Sequence, residues 1–75
     1  MTKNEFLRLL EKDMDLAENT LRGDERLKAD LGWDSMSVVV FLAFADEAFG
    51  KQITPEHVDA AKSVEDLMKL VGVEA

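Results

Sequence analysis

The residues with the clearest chemical potential are Asp34 and Ser35, which stand side by side in the segment 31–36, LGWDSM. Asp34 can cap a helix, because its carboxylate accepts hydrogen bonds from the free N–H groups of the next turn. The apolar run that follows supplies the helix, so Ser35 is predicted to be exposed at its first position. There the unpaired N–H groups and the positive end of the helix dipole favour a phosphate ester. The pattern therefore favours a serine that carries a group through phosphate over a buried nucleophile.

Other chemistries lack residues that they need. A serine hydrolase would require a base for Ser35, but His57 is the only histidine and no G-x-S-x-G turn is present. His57 itself has acidic neighbours, and a solvated surface role suits it better than catalysis. Asp13 and Asp15 are spaced like calcium ligands, but the Asp/Asn-Gly and the distal glutamate of an EF-hand loop are missing. We therefore predict neither an enzyme nor a metal site.

The length of 75 residues allows a single domain, residues 1–75, with one modest core. Cysteine is absent, which excludes disulfides and catalytic thiols and fits a reducing cytoplasm. The longest apolar stretch, residues 38–45, is too short to span a bilayer, and the N-terminus does not read as a secretion signal. We therefore expect a soluble, cytoplasmic protein without membrane insertion.

The formal net charge of −7 is unevenly distributed. Residues 34–75 contain eight acids and three bases, whereas residues 1–33 contain eight acids and six bases. This balance disfavours nucleic acid and anionic membranes as partners. It favours a protein partner with a basic docking patch, because complementary charges speed and orient an encounter. The alternative is that the acids only keep the surface solvated.

Four helices are predicted from capping signals and apolar spacing. The first begins at Thr2 or Asn4, and an ordered loop follows over residues 18–33. The second covers residues 35–49. The third begins at Thr54-Pro55 and ends near Ala61, and the fourth lies between Ser63 and Gly72. The core positions predicted outside the second helix are Phe6, Leu7, Leu10, Met14, Ala17, Leu21, Leu27, Leu31, Val64, Leu67, Met68 and Val71.

The second helix has two apolar stripes instead of one. We expect one of them to face the core: Val38, Phe41, Leu42, Ala45 and Phe49. The other leads from the serine towards two acids: Met36, Val39, Val40, Ala43, Asp46 and Glu47. Because one helix of so small a domain cannot easily be covered on every side, we predict that the second stripe docks a partner. The alternative is that the loop or the third helix covers it.

Taken together, these features resemble the acyl carrier proteins over essentially the whole chain. The family signature is an Asp-Ser-Leu or Asp-Ser-Met core after a Leu-Gly-apolar triplet, and it stands here as LGWDSM at residues 31–36. The helix order, the Phe49-Gly50 ending and Ile53 beyond it also match. The resemblance implies an all-α four-helix bundle of acyl-carrier type, with a long loop between the first two helices and a short third helix.

The resemblance also implies a function. A phosphopantetheinyl transferase would attach 4′-phosphopantetheine from coenzyme A to Ser35, and Asp34 would cap the helix beside it. The thiol of this cofactor would tether acyl groups as thioesters and present them to partner enzymes, so the protein would be a carrier and not an enzyme. The absence of cysteine is then expected, because the reactive thiol arrives with the prosthetic group.

Two departures from the family pattern concern partner choice. Fatty-acid carriers commonly place acids early on the exposed face of the second helix, where this chain has Ser37 and Val40. Trp33 is bulkier than the usual residue before Asp-Ser, and it fits either a core plug or a partner contact. These departures favour a carrier for a specialised lipid, polyketide-like or surface-polymer pathway over general fatty-acid biosynthesis.

The expected partners are the transferase and acyl-transferring or acyl-ligating enzymes with basic docking patches, and we expect a monomer. One alternative function is an aminoacyl or peptidyl carrier, although such carriers usually have Gly-Gly-x-Ser where this chain has Gly-x-Asp-Ser. Another is an unmodified helical protein-interaction module. The predicted docking surface comprises Met36, Val39, Val40, Ala43, Asp46, Glu47, Glu56 and Asp59.

Overall fold

The computed structural model describes residues 1–73, which form five helices and no strand. The helices are α1 (Lys3–Asp13), α2 (Leu27–Leu31), α3 (Ser35–Phe49), α4 (Pro55–Ala60) and α5 (Val64–Leu70). The all-α prediction is confirmed, and α3, α4 and α5 lie where the second, third and fourth helices were predicted. Within residues 1–73, none of these helices combines the length and the apolar character that a bilayer crossing requires.

The predicted capping residues begin and end these helices. Thr2, and not Asn4, caps α1: its hydroxyl accepts the Glu5 N–H at 3.2 Å, and the Glu5 carboxylate accepts the Thr2 N–H at 3.0 Å. Ser63 and Asp66 form the same reciprocal pair at the start of α5. Gly50 ends α3 in the left-handed conformation, with φ 62°, which glycine adopts without steric cost.

The predicted length of the first helix was wrong, because α1 ends at Asp13. Asp15 has a φ of 58°, and the Leu16 N–H donates to the Glu11 carbonyl at 2.7 Å. This hydrogen bond belongs to a Schellman motif, which normally places glycine at the left-handed position. Ala17 consequently lies outside the helix and is exposed, so its predicted core position was also wrong.

An ion pair between partly buried Arg8 and buried Glu11 fixes the chain after this turn. The Glu11 side chain is 1% exposed and accepts N–H groups from Asn19 at 3.0 Å and Leu21 at 2.8 Å. The Arg8 guanidinium lies 3.0 Å from the same carboxylate and also donates to the Leu21 carbonyl at 2.8 Å. The side chains of α1 thereby replace the backbone partners that an irregular loop lacks.

The connection between α1 and α3 is ordered, as predicted, but it contains the short helix α2 as well. Gly32 ends α2 with a φ of 63°. The connection is also paired with the start of α5, since the Leu27 N–H donates to the Lys62 carbonyl and the Val64 N–H to the Glu25 carbonyl, both at 3.0 Å. We call this pairing the loop clasp; it includes a third hydrogen bond, from the Glu65 N–H to the Gly23 carbonyl at 3.0 Å.

The core has an aromatic centre. Val38, Phe41 and Ala45 are buried as predicted, but Leu42 and Phe49 are only partly buried. Phe44 is buried too, although neither predicted stripe contained it. Ring contacts with centroid separations of 5.6–6.3 Å join every aromatic residue of the chain into one cluster: Phe6, Trp33, Phe41, Phe44 and Phe49.

Candidate functional site

Ser35 is the first residue of α3 and is exposed, as predicted. Asp34 before it has extended backbone, and its carboxylate accepts the Ser37 N–H at 3.0 Å and the Ser37 hydroxyl at 3.2 Å. In return, the Asp34 N–H donates to the Ser37 hydroxyl at 3.3 Å. Asp34 therefore binds across the first turn to Ser37, and this leaves the intervening Ser35 on the open side of the cap.

The cap determines the charge beside Ser35. The N–H and hydroxyl of Ser37 stabilise the ionised carboxylate of Asp34 and hold its pKa below the ordinary value of 3.8. Asp34 is consequently charged at neutral pH. A negative group at the start of α3 is favourable, because the N-terminus of a helix carries partial positive charge.

Buried residues hold the chain on both sides of the exposed serine. Trp33 is 8% exposed, and its ring centroid lies 6.3 Å from that of Phe41. Val38, one turn into α3, is also buried. Of the two roles predicted for Trp33, the structure favours the core plug over the partner contact. Ser35 thus stands on a short segment that is anchored before and after it.

An uncovered apolar strip begins next to Ser35. Met36 is 71% exposed and Val39 is 62% exposed, so neither the loop nor α4 covers this part of the helix. Ala43 is also exposed, whereas Val40 is half-buried. Neighbouring exposed apolar side chains are candidate contacts for a partner protein. The predicted alternative, in which the strip is covered, was therefore wrong for Met36 and Val39.

The predicted acidic residues Asp46, Glu47, Glu56 and Asp59 are all exposed. Glu47 faces α1 across a shallow groove, where burial and the Glu47 charge together raise the pKa of Asp13. Asp59 lies instead beside a groove between α2 and α4. Asp46 follows the strip along α3, and Glu56 lies on the first turn of α4. Glu47 and Asp59 thus border different grooves, and the joint role of the four acids in steering stays a prediction.

No second chemistry is built around Ser35 in the described part of the chain. His57 is exposed on α4. Within residues 1–73, no three His, Asp or Glu side chains are grouped to hold a metal ion.

Sequence reasoning missed the reciprocal role of Ser37, although the Asp-x-x-Ser spacing is a recognisable variant of the capping box.

Comparison with known proteins agrees with this geometry. A family model described as a phosphopantetheine attachment site matches residues 4–71, which is nearly the whole chain. The matched range includes Asp34, Ser35 and all of α2 to α5. No curated protein and no solved structure matches the chain.

Proposed function

Because this chain belongs to the phosphopantetheine attachment family, we propose that it is an acyl carrier protein whose prosthetic group is attached at Ser35. Members of this family carry covalently bound 4′-phosphopantetheine and are carriers, not catalysts. The observation that carries the choice of residue is the exposed position of Ser35 at the start of α3, directly after its capping aspartate.

The residues around Ser35 suit the group. Its side chain is exposed, so a transferase can reach the hydroxyl. The 15 residues of α3 direct the positive end of the helix dipole at this position, which favours a phosphodiester there. During attachment the Ser35 oxygen would displace adenosine 3′,5′-bisphosphate from the pantetheine phosphate and lose its proton. The bound group supplies a thiol, which this cysteine-free chain lacks, for thioester formation.

We propose further that the carrier serves a specialised lipid, polyketide-like or surface-polymer pathway. The first two turns of α3 contain no acidic residue. Fatty-acid carriers commonly have acids at the positions of Ser37 and Val40. Here Ser37 is hydrogen-bonded to the capping Asp34, and Val40 is half-buried. An aminoacyl or peptidyl carrier remains the alternative cargo class, since it would use the same attachment residue.

The proposed partners are the phosphopantetheinyl transferase and acyl-handling enzymes with basic docking patches. The uncovered strip beside Ser35 supports an apolar contact, and the exposed acids support electrostatic steering. The proposed contact residues are Met36, Val39, Val40 and Ala43. The proposed steering residues are Asp46, Glu47, Glu56 and Asp59.

Attachment at Ser35 is tested by intact-mass spectrometry after incubation with coenzyme A and a broad-specificity transferase. We expect one phosphopantetheine addition to the wild type and none to Ser35→Ala, because the oxygen that accepts the phosphate is gone. Ser37→Ala is the matched control, since it removes a neighbouring hydroxyl and keeps the acceptor. Circular dichroism must show that both variants are folded.

Two results would contradict the assignment. Addition to Ser35→Ala would place the group elsewhere. An unmodified wild type, under conditions that modify a known carrier, would leave an unmodified helical interaction module as the better explanation.

Substitutions in the acidic part and in the apolar part of the docking surface should affect binding to the transferase differently. Reversing Asp46 and Glu47 to lysine should slow association with the transferase by roughly tenfold at low salt, and added salt should reduce that effect. Val39→Asp should instead weaken the complex by about tenfold or more with little salt relief, because it buries an unpaired charge. Stopped-flow association at low and high ionic strength measures both effects.

The control for the charge reversal is Glu18→Lys with Asp24→Lys, which makes the same change in net charge at exposed positions outside α3 and α4. If this control slows association equally, net charge and not the docking surface is responsible. If Val39→Asp binds like the wild type, the apolar strip is not the contact.

A further inference from the structure

The four methionines of the chain differ widely in exposure. Met68 is fully buried, Met14 is half-buried, and Met1 is 57% exposed. Met36, which directly follows Ser35, is 71% exposed and is the most accessible of the four. These differences are large enough for a reagent in solution to distinguish one methionine sulfur from the others.

The exposure of Met36 follows from its place in the first turn of α3. Asp34 and Ser35 before it are exposed as well. Val39, which is 62% exposed, neighbours it at the i+3 position on the helix surface. Solvent therefore reaches the Met36 thioether in the folded protein, and the core does not depend on this side chain.

Methionine carries all the sulfur of this chain, because cysteine is absent. Hydroperoxides oxidise an accessible thioether to the sulfoxide, and methionine sulfoxide reductases reverse the change. With hydrogen peroxide, one oxygen bonds to the Met36 sulfur while the O–O bond breaks. The sulfur is oxidised and the peroxide is reduced, since its second oxygen takes up the remaining proton and leaves as water.

A sulfoxide at Met36 would change the apolar strip at its end next to Ser35. Adjacent Cα atoms are only about 3.8 Å apart, so an enzyme that encloses the Ser35 hydroxyl must also cover Met36. The sulfoxide converts a flexible apolar side chain into a polar one. Burial of its oxygen without a hydrogen-bond donor is unfavourable, so the contact is weakened.

We propose that Met36 is a site of reversible oxidation and that its sulfoxide weakens the docking of enzymes at Ser35. The inference rests on the proposed function, and it adds a form of regulation. A hydroperoxide slows attachment of the prosthetic group without unfolding the protein, and reduction of the sulfoxide restores attachment.

The first experiment locates the oxidation in the full chain before the prosthetic group is attached. The protein is treated with hydrogen peroxide for increasing times, the peroxide is removed, and peptide mass spectrometry measures the sulfoxide at each methionine. We expect Met36 to be oxidised several-fold faster than Met68, because access to the sulfur limits the reaction. Equal rates at these two residues would overturn the inference.

The second experiment measures the effect on attachment. Protein oxidised at Met36 is given coenzyme A and the transferase, and intact mass follows the modification of Ser35. We expect kcat/KM to fall by roughly tenfold relative to untreated protein, because the transferase must bury an unpaired polar group. Methionine sulfoxide reductase should restore the original value. The urea midpoint of unfolding should be the same before and after oxidation.

Two variants separate Met36 from the other methionines. Met36→Leu keeps an apolar side chain without the sulfur, so peroxide should leave its kcat/KM at the value of its own untreated sample, although Met1 can still be oxidised. Met36→Gln places a permanent polar group at this position and should have a lowered kcat/KM without peroxide.

An unchanged kcat/KM after oxidation of Met36, an equal peroxide effect in Met36→Leu, or a wild-type value in Met36→Gln would overturn the inference while leaving the carrier function intact. A lowered urea midpoint after oxidation would attribute the loss to unfolding and also overturn it. If untreated wild type takes up no phosphopantetheine where a known carrier does, the proposed function fails, and this inference fails with it.

Discussion

Phe41→Ala is expected to lower the free energy of unfolding by about 3–5 kcal/mol. Phe41 is fully buried within the aromatic cluster, and its ring centroid lies 6.3 Å from that of Trp33 and 5.8 Å from that of Phe44. Alanine would leave a cavity, and the neighbouring aromatic rings cannot move enough to fill it. Since the core of so small a domain supplies only about 3–5 kcal/mol in total, much of the variant should be unfolded. Urea unfolding followed by circular dichroism measures the loss.

Val39→Ala is the control, because Val39 lies on the same helix and is 62% exposed. It should change the free energy of unfolding by less than about 0.5 kcal/mol. Equal losses for the two variants would mean that the inner and outer faces of α3 are assigned wrongly. Phe49→Ala should fall between them, because Phe49 is partly buried.

Glu11→Gln is expected to cost about 3 kcal/mol, because it takes the charge from a buried carboxylate that pairs with Arg8 and accepts two backbone N–H groups. The NH₂ group of glutamine would also face one of the backbone N–H groups, and two donors cannot form a hydrogen bond with each other. Glu5→Gln is the matched control: Glu5 accepts a backbone N–H as well, but it is exposed. A similar loss of unfolding free energy in both variants would show that the burial of Glu11 does not add to its stabilising effect.

The same variant should change the response to acid. Burial opposes ionisation of Glu11, but the N–H groups of Leu21 and Asn19 and the charge of Arg8 outweigh it, so its pKa lies below the ordinary value of 4.5. The folded state favours the ionised form of Glu11. Its stabilisation is therefore complete above about pH 4.5 and is lost as the pH falls through the lower pKa that Glu11 has in the folded protein.

Urea unfolding between neutral pH and about pH 3 should therefore show a smaller acid-induced loss in Glu11→Gln than in the wild type. A residual loss is expected in both proteins, because Glu25 and Asp66 also have lowered pKa values. The raised pKa of Asp13 acts in the opposite direction. Identical pH profiles would show that Glu11 does not contribute to the acid response.

The helices with specific end signals could be predicted from the sequence. Asp34, Pro55 and Ser63 mark where α3, α4 and α5 begin, because each residue type has a distinct role at a helix start. The end of α1 could not be predicted, since Asp15 takes a left-handed conformation that glycine usually occupies. The five residues of α2 are too few to show a helical period.

The candidate site was predictable only in its local part. The position of Ser35 follows from the cap immediately before it, and the structure agrees. Glu11 has the appearance of a surface residue in the sequence, and its burial depends on the loop folding back onto α1. The groove between α2 and α4 likewise depends on backbone pairing between Leu27 and Lys62, which no local pattern indicates.

The loop clasp has a consequence for local stability. Its three hydrogen bonds join the segment 23–27 to the segment 62–65, and Leu27 between them is buried. Lifting the segment before α2 away from the domain would therefore break backbone bonds at the start of α5 and expose Leu27 to water. Such coupled segments open as one cooperative unit. The stretch before α2 is thus not an independent flap, and any widening of the groove along this edge must also strain the first turn of the last helix.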